Sequence, residues 1–186
     1  MGAYKILGIA GSLRTGSFNQ SVLKELKMIG GDEAVVNIFS LADIPLFNAD
    51  DEAGGDPETV QIFKDAIHRA DAIYIVTPEY SHGMPGVLKN ALDWAGSMAN
   101  DNALASKPAA VAGASPSQLG TALSQQQVKQ TLRAAGSPVL EHPEVYIGGV
   151  NKKVDDEGNL TDSKTKEQLE KSLHSLTAWI ELLRNK

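Results

Sequence analysis

Near the start of the chain an apolar run, Ile6-Leu7-Gly8-Ile9-Ala10, passes straight into the Gly-bounded polar stretch Gly11-Ser12-Leu13-Arg14-Thr15-Gly16-Ser17-Phe18-Asn19-Gln20. Val22, Leu23 and Leu26 then recur at helical spacing. A buried strand, a tight loop and an amphipathic helix in that order make a βα unit. Such a unit commits its strand to parallel pairing, because the helix crosses a face of the sheet before the next strand begins. The same layout builds an anion site: loop N–H groups turn inward, and the helix N-terminus adds its partial positive charge. Ser12, Arg14, Ser17 and Asn19 add side-chain donors, a set suited to a dianionic phosphate monoester. As plain helix chemistry, Ser17 reads as an N-cap and Gln20 as the far member of a capping box.

Two common phosphate loops fail against this stretch. Gly11 and Gly16 have the Walker A spacing, but Ser17 stands where the lysine that reaches the β- and γ-phosphates must be. Gly8-Ile9-Ala10-Gly11 does not supply the Gly-x-Gly-x-x-Gly of a dinucleotide loop, so a pyrophosphate is not expected. A terminal monophosphate remains.

The rest of the chain repeats the unit. Strands are expected at Tyr4–Ala10, Ala34–Phe39, Asp71–Val76, Pro108–Ala114 and Val145–Ile147. Helices are expected from Ser17 to about Ile29, from Asp56 as N-cap, from about Pro85, from Thr121 to about Ala135, and from about Asp162. Leu41 to Gly55 reads as one long polar connection and Asn151–Asn159 as a solvated turn. Five strands alternating with five helices predict an α/β fold, a flavodoxin-like five-stranded parallel sheet in the order 2-1-3-4-5 with helices on both faces. Residues 1–186 are expected to form a single domain. The polar loops after strands one, three and four then share one edge, at the switch point where ligands bind in such sheets.

Composition removes other classes. The net charge of −6, with no long basic run, argues against nucleic acid or an anionic membrane as main partner. The absence of Cys excludes disulfides, thiolate metal sites and thiol nucleophiles. His68, His142 and His174 are scattered, without metal-ligand spacing, so no metal is expected. With no signal or transmembrane run in view, the expected location is cytoplasmic.

The second loop reads Thr77-Pro78-Glu79-Tyr80-Ser81-His82-Gly83-Met84-Pro85-Gly86-Val87-Leu88-Lys89-Asn90-Ala91-Leu92-Asp93-Trp94. Here the chain resembles the NADPH-dependent FMN reductase family. That family reads Gly-Ser-x-Arg-x-x-Ser-x-Asn after strand one and Pro-Glu-Tyr-x-x-x-x-Pro-Gly-x-Leu-Lys-Asn-Ala-x-Asp-Trp after strand three. The resemblance implies FMN held by its phosphate at Ser12, Arg14, Ser17, Phe18 and Asn19, with Pro78, Glu79, Tyr80, Ser81, His82 and Gly83 beside the flavin ring. It implies NADPH or NADH as donor, and a quinone, azo compound, metal oxyanion or free flavin as acceptor. It also implies a homodimer or homotetramer, packed partly through the helix after Pro85. For Asp93 and Trp94 themselves, packing and a Lys89–Asp93 surface pair are the expected roles.

The chain departs from the common pattern at Ser81-His82-Gly83, where many members read Asn-x-Ser, and in the loop from Ser115, which lacks a Gly-Gly-Arg. Ser115 and Gln118 are expected to close the far side of the flavin. His82 has two readings, an exposed loop histidine or a proton donor beside the ring. A rival function is a flavodoxin that passes electrons to a protein partner, although the Arg in the first loop and the Pro-Glu-Tyr both point to a reductase.

Overall fold

Alternate residues of the central strands serve two separate cores. The computed structural model describes residues 2–185. In β1 (Tyr4–Ala10), Ile6 and Ala10 face one layer while Leu7 and Ile9 face the other, and β3 (Ala72–Val76) does the same with Tyr74 and Val76 against Ile73 and Ile75. Strands buried on both faces read as continuous apolar runs, as these do. The first core is closed by Leu23 and Leu26 of α1 (Phe18–Gly30) and by Leu169, Leu173, Leu176 and Ile180 of α6 (Ser163–Arg184). The second is closed by Phe63 and Ile67 of α3 (Glu58–Arg69), Leu88 and Leu92 of α4 (Gly86–Gly96), and Val128 and Leu132 of α5 (Ala122–Ala134). Each such buried Leu, Ile or Phe stabilises the fold by about 1.5–3 kcal/mol.

All strand pairs are parallel, in the order β2-β1-β3-β4-β5, with β2 at Ala34–Phe39, β4 at Ala109–Ala114 and β5 at Val145–Ile147. Ile6 lies between Val36 of β2 and Ala72 of β3. The expected sheet order is therefore the observed one, and the loops after β1, β3 and β4 share its C-terminal edge.

Two local expectations change and a third gains a neighbour. The Leu41–Gly55 connection contains a short helix, α2 (Ala49–Ala53), capped by the Asn48 side chain, which accepts from the Asp50 N–H at 3.1 Å. Asp56 does not cap α3; Pro57 holds that position, and the Asp56 carboxylate takes Lys64 Nζ at 2.6 Å and Asn100 Nδ2 at 3.1 Å. A buried lysine needs a counter-charge more than a helix end needs a cap. The 151–159 turn is closed by Asp155, whose Oδ1 accepts from the N–H groups of Glu157 at 3.0 Å and Asn159 at 2.7 Å. It is largely exposed, as expected of a solvated turn, and it also walls a groove beside the first loop, across from Ser17–Ser21.

Candidate functional site

The loop after β1 is fixed at both ends. The Gly11 N–H donates to Val76 O at 2.9 Å, so the loop leaves the sheet beside the end of β3. A Cβ on Gly11 would come within 3.1 Å of the Pro78 and Leu88 side chains and 3.3 Å of Thr77 Oγ1, so glycine gives the tight fit between this loop, the β3 loop and α4. Further along, Ser17 holds the N-cap position of α1 with extended backbone, as expected, but its side chain makes no cap bond, and the Gln20 capping box does not form. Ser12 and Ser17 are both buried. Ser12 Oγ accepts from the Arg14 N–H at 3.3 Å. The Arg14 side chain is exposed, and its guanidinium lies 5.8 Å from the centroid of the half-buried Phe18 ring.

Asn19, expected as a phosphate donor, also has a structural part. Its Oδ1 accepts from the Ala114 N–H at 2.9 Å and its Nδ2 donates to Ala114 O at 3.2 Å. The buried amide thus copies a strand pairing and fastens the start of α1 to the end of β4. What the loop offers an anion is the Ser12 and Ser17 hydroxyls, the Arg14 guanidinium and the N–H groups of Phe18 and Asn19; the Gln20 and Ser21 N–H groups already donate to Ser17 O at 3.0 and 3.3 Å.

The loop after β3 is held by three bonds to α5. Glu79 Oε2 accepts from the N–H groups of Leu123 at 3.0 Å and Ser124 at 3.2 Å, so this carboxylate caps α5. The helix needs an outside cap: Thr121, its own N-cap residue, sits at φ 70° and bonds no first-turn N–H. Met84 N–H donates to Gln127 Oε1 at 2.9 Å. Beneath, the fully buried Thr77 donates from Oγ1 to Pro78 O at 2.8 Å and meets Ser124 Oγ at 2.9 Å. Between these anchors Tyr80 and Gly83 exchange backbone bonds of 3.1 and 2.9 Å around a two-residue tip, Ser81 at φ 48° and His82 at φ 60°. Positive φ at both central positions is the type I′ hairpin turn, normally an Asn-Gly or Gly-Gly site. Tyr80, Ser81 and His82 are exposed, and His82 Nδ1 stands 3.5 Å from Glu79 Oε1.

The loop after β4 completes the edge. Ser115 Oγ accepts from the Ser117 N–H at 3.1 Å, and Gln118 is exposed, its backbone pressed on Gly148. A Cβ on Gly113 would lie 1.8 Å from Thr121 Oγ1 and 2.3 Å from Thr77 O. Here β4, the β3 loop and the start of α5 meet with no room for any other residue. Thr77, Ser124 and Gln127 were not expected at the site; a buried Thr just before Pro78 is a weak signal, and nothing local marks Gln127. On α4 the expected Lys89–Asp93 pair forms at 2.5 Å, and buried Trp94 donates from Nε1 to Pro45 O at 2.9 Å. Among the described residues, no group of three or more His, Cys, Asp or Glu is placed to hold a metal.

A parallel 2-1-3-4-5 sheet with helices on both faces and polar loops at the β1/β3 edge is the flavodoxin-like arrangement, in which ligands bind at that edge. The sequence profile of the NADPH-dependent FMN reductase family matches residues 4–152, and the chain belongs to that family. It is 40% identical over 180 residues to an NAD(P)H-dependent FMN reductase of Pseudomonas aeruginosa, covering 97% of each chain. To a quinone reductase of Pseudomonas putida it is 36% identical over 181 residues, again 97% of each. Among solved structures it matches FerB, a flavoenzyme NAD(P)H:(acceptor) oxidoreductase from Paracoccus denitrificans, with a TM-score of 0.88 and 35% identity over 96% of this chain and 98% of that one. The protein is thus an oxidoreductase with FMN as cofactor and NAD(P)H as donor.

Proposed function

We propose that the FMN phosphate sits on the β1–α1 loop and that the flavin ring lies along Pro78–Gly83, with Ser115 closing the far side. The observation that carries this is Ser17: a buried hydroxyl at a helix N-terminus that caps nothing in its own helix. A phosphate oxygen supplies the acceptor that hydroxyl lacks. Arg14 provides the charge, and the N–H groups of Phe18 and Asn19 at the start of α1 complete the donor set.

Bound there, FMN supplies the two-electron chemistry, accepting hydride from NAD(P)H and passing the electrons on. This chain's residues bind and orient. Asn19 and Gly11 hold the phosphate loop against β4 and β3, and Glu79, Gln127 and Thr77 hold the second loop against α5. The exposed apolar side chains Leu13, Tyr80, Leu119 and Leu123 all belong to these loops or to the start of α5. A rim of that kind favours planar organic acceptors such as quinones and azo compounds, with free flavin and metal oxyanions as further candidates. The partners are therefore small molecules, and in the same reading the enzyme is a cytoplasmic homodimer or homotetramer packed partly through α4. Among the described residues, no helix is long and apolar enough to cross a membrane.

The test is direct. Purified protein reconstituted with FMN should be yellow, and NADPH added without oxygen should bleach it within the turnover time. A yellow protein that NADPH leaves unbleached, but that a reduced protein partner bleaches, would make it a flavodoxin-type carrier instead.

A further inference from the structure

Taking a quinone to its hydroquinone adds two electrons and two protons. A hydride drawn ultimately from NAD(P)H supplies both electrons and one proton, and leaves NAD(P)+. The second proton has to come from another group at the site, or from water. In the three loops the candidates are few. Arg14 does not release its proton in a protein. Glu79 is committed to two N–H groups of α5, and its side chain is 11% exposed. Lys89, on the neighbouring helix, is bound to both oxygens of Asp93. Tyr80 carries a phenol on the same turn but no charged partner.

His82 differs from all of these. It occupies the second tip position of the Tyr80–Gly83 turn, with Ser81 and His82 both at positive φ. Side-chain-bearing residues there cost about 1 kcal/mol or more each compared with glycine, so the tip is strained to present side chains where glycine would turn more easily. Its Nδ1 stands at ion-pair distance, 3.5 Å, from Glu79 Oε1, while the other oxygen of that carboxylate is bonded to α5. A carboxylate on Nδ1 favours the proton there and leaves Nε2 as the nitrogen that exchanges with the outside. The side chain is 78% exposed on that outer side. Among the described residues, Glu79 is the acidic side chain within 4 Å of it; Leu123 and Ser124, the α5 residues that Glu79 bonds, carry no charge.

We propose that His82, oriented by Glu79, is the general acid that protonates a quinone acceptor. This rests on the reading that the Pro78–Gly83 loop borders the flavin. The imidazolium Nε2–H passes its proton to the oxygen of the hydroquinone anion as that anion forms. The O–H bond is made, the N–H bond is broken, the imidazole is left neutral, and water restores its proton. Glu79 acts here as a positioning residue.

The test compares two acceptors. Ferricyanide takes electrons one at a time and needs no proton, so it reports flavin turnover without the acid. The His82→Asn variant suits the comparison, because Asn tolerates left-handed φ and keeps a polar tip, yet cannot exchange the proton. The ratio of quinone to ferricyanide turnover should fall about a hundredfold in this variant. A second readout needs no turnover: the Nε2 resonance of His82 in oxidised holoprotein should shift when hydroquinone is added anaerobically. An unchanged ratio, or a resonance that stays in place, overturns the assignment. Failure of the wild type to hold FMN at all would sink the underlying reading and take this inference with it.

Discussion

Arg14 decides whether the first loop is a phosphate site. It is the one cation of the loop, exposed and lying over Phe18, with no acidic partner among its contacts in the structure. A charge-assisted bond of a guanidinium to a phosphate is worth about 1.5–3 kcal/mol, so Arg14→Ala should weaken FMN binding about ten- to a hundredfold. Arg14→Lys keeps the charge but not the planar fork, and should fall between the two. Fluorescence titration of FMN-free protein measures both; an Arg14→Ala protein that binds FMN as tightly as wild type would place the phosphate elsewhere. Asn19 shows the limit of sequence at this scale. Its residue type and position both suggest a phosphate donor, and only the fold reveals that its amide is engaged by Ala114, a residue 95 positions away.

At the scale of elements, strands and helices were legible because each carries its own pattern. β1 and β3 read as continuous apolar runs bounded by polar residues, and apolar residues recur at three and four along α4 and α6. The helix starts were less so. Capping is a competition for the same side chains: Lys64 and Asn100 win it at Asp56, while the Ser17 hydroxyl caps nothing in its own helix. The cap of α5 is the clearest case, since it comes from Glu79, on the far side of α4 in the chain. Glu79→Ala removes both bonds where Thr121 has no side-chain bond to replace them, and caps are worth about 0.5–2 kcal/mol. For a domain of this length that lowers the melting temperature by about 1–8 °C. Glu79→Gln keeps an acceptor oxygen and should recover most of the loss. Measuring both without FMN separates the helix cap from any effect on the cofactor; an unshifted Glu79→Ala melting curve would show that the cap bonds carry no stability.

Across the whole molecule the ionisable groups bound the pH range of stability on two sides. Burial pushes the Asp56 carboxyl up, but the hydrogen bonds from Lys64 and Asn100 and the attraction of the ammonium outweigh it and hold it below the ordinary range. Glu141 and Glu144 are likewise held low around the buried Lys129, by Arg133 and Tyr146 together with the lysine. Carboxyls with lowered folded values stabilise the protein above the unfolded range near pH 4, and that stability is lost as pH falls through the folded values. The alkaline side turns on Tyr74, fully buried in the middle of the sheet beneath α6, its hydroxyl 2.7 Å from Ser172 Oγ. Burial raises its phenol to about 12, against a smaller lowering by the Ser172 bond. The unfolded chain ionises near pH 10 and the folded one does not, so stability present below pH 10 drains away between there and about 12. Tyr74→Phe removes this limb. The variant loses one hydrogen bond, about 1 kcal/mol, at every pH below 10. Its deficit should then shrink and reverse by about 2–3 kcal/mol as pH approaches 12. Denaturant melts of both proteins from pH 3 to 11.5 check the two limbs together. Parallel curves above pH 10 would mean that Tyr74 ionises as easily in the folded sheet as in water.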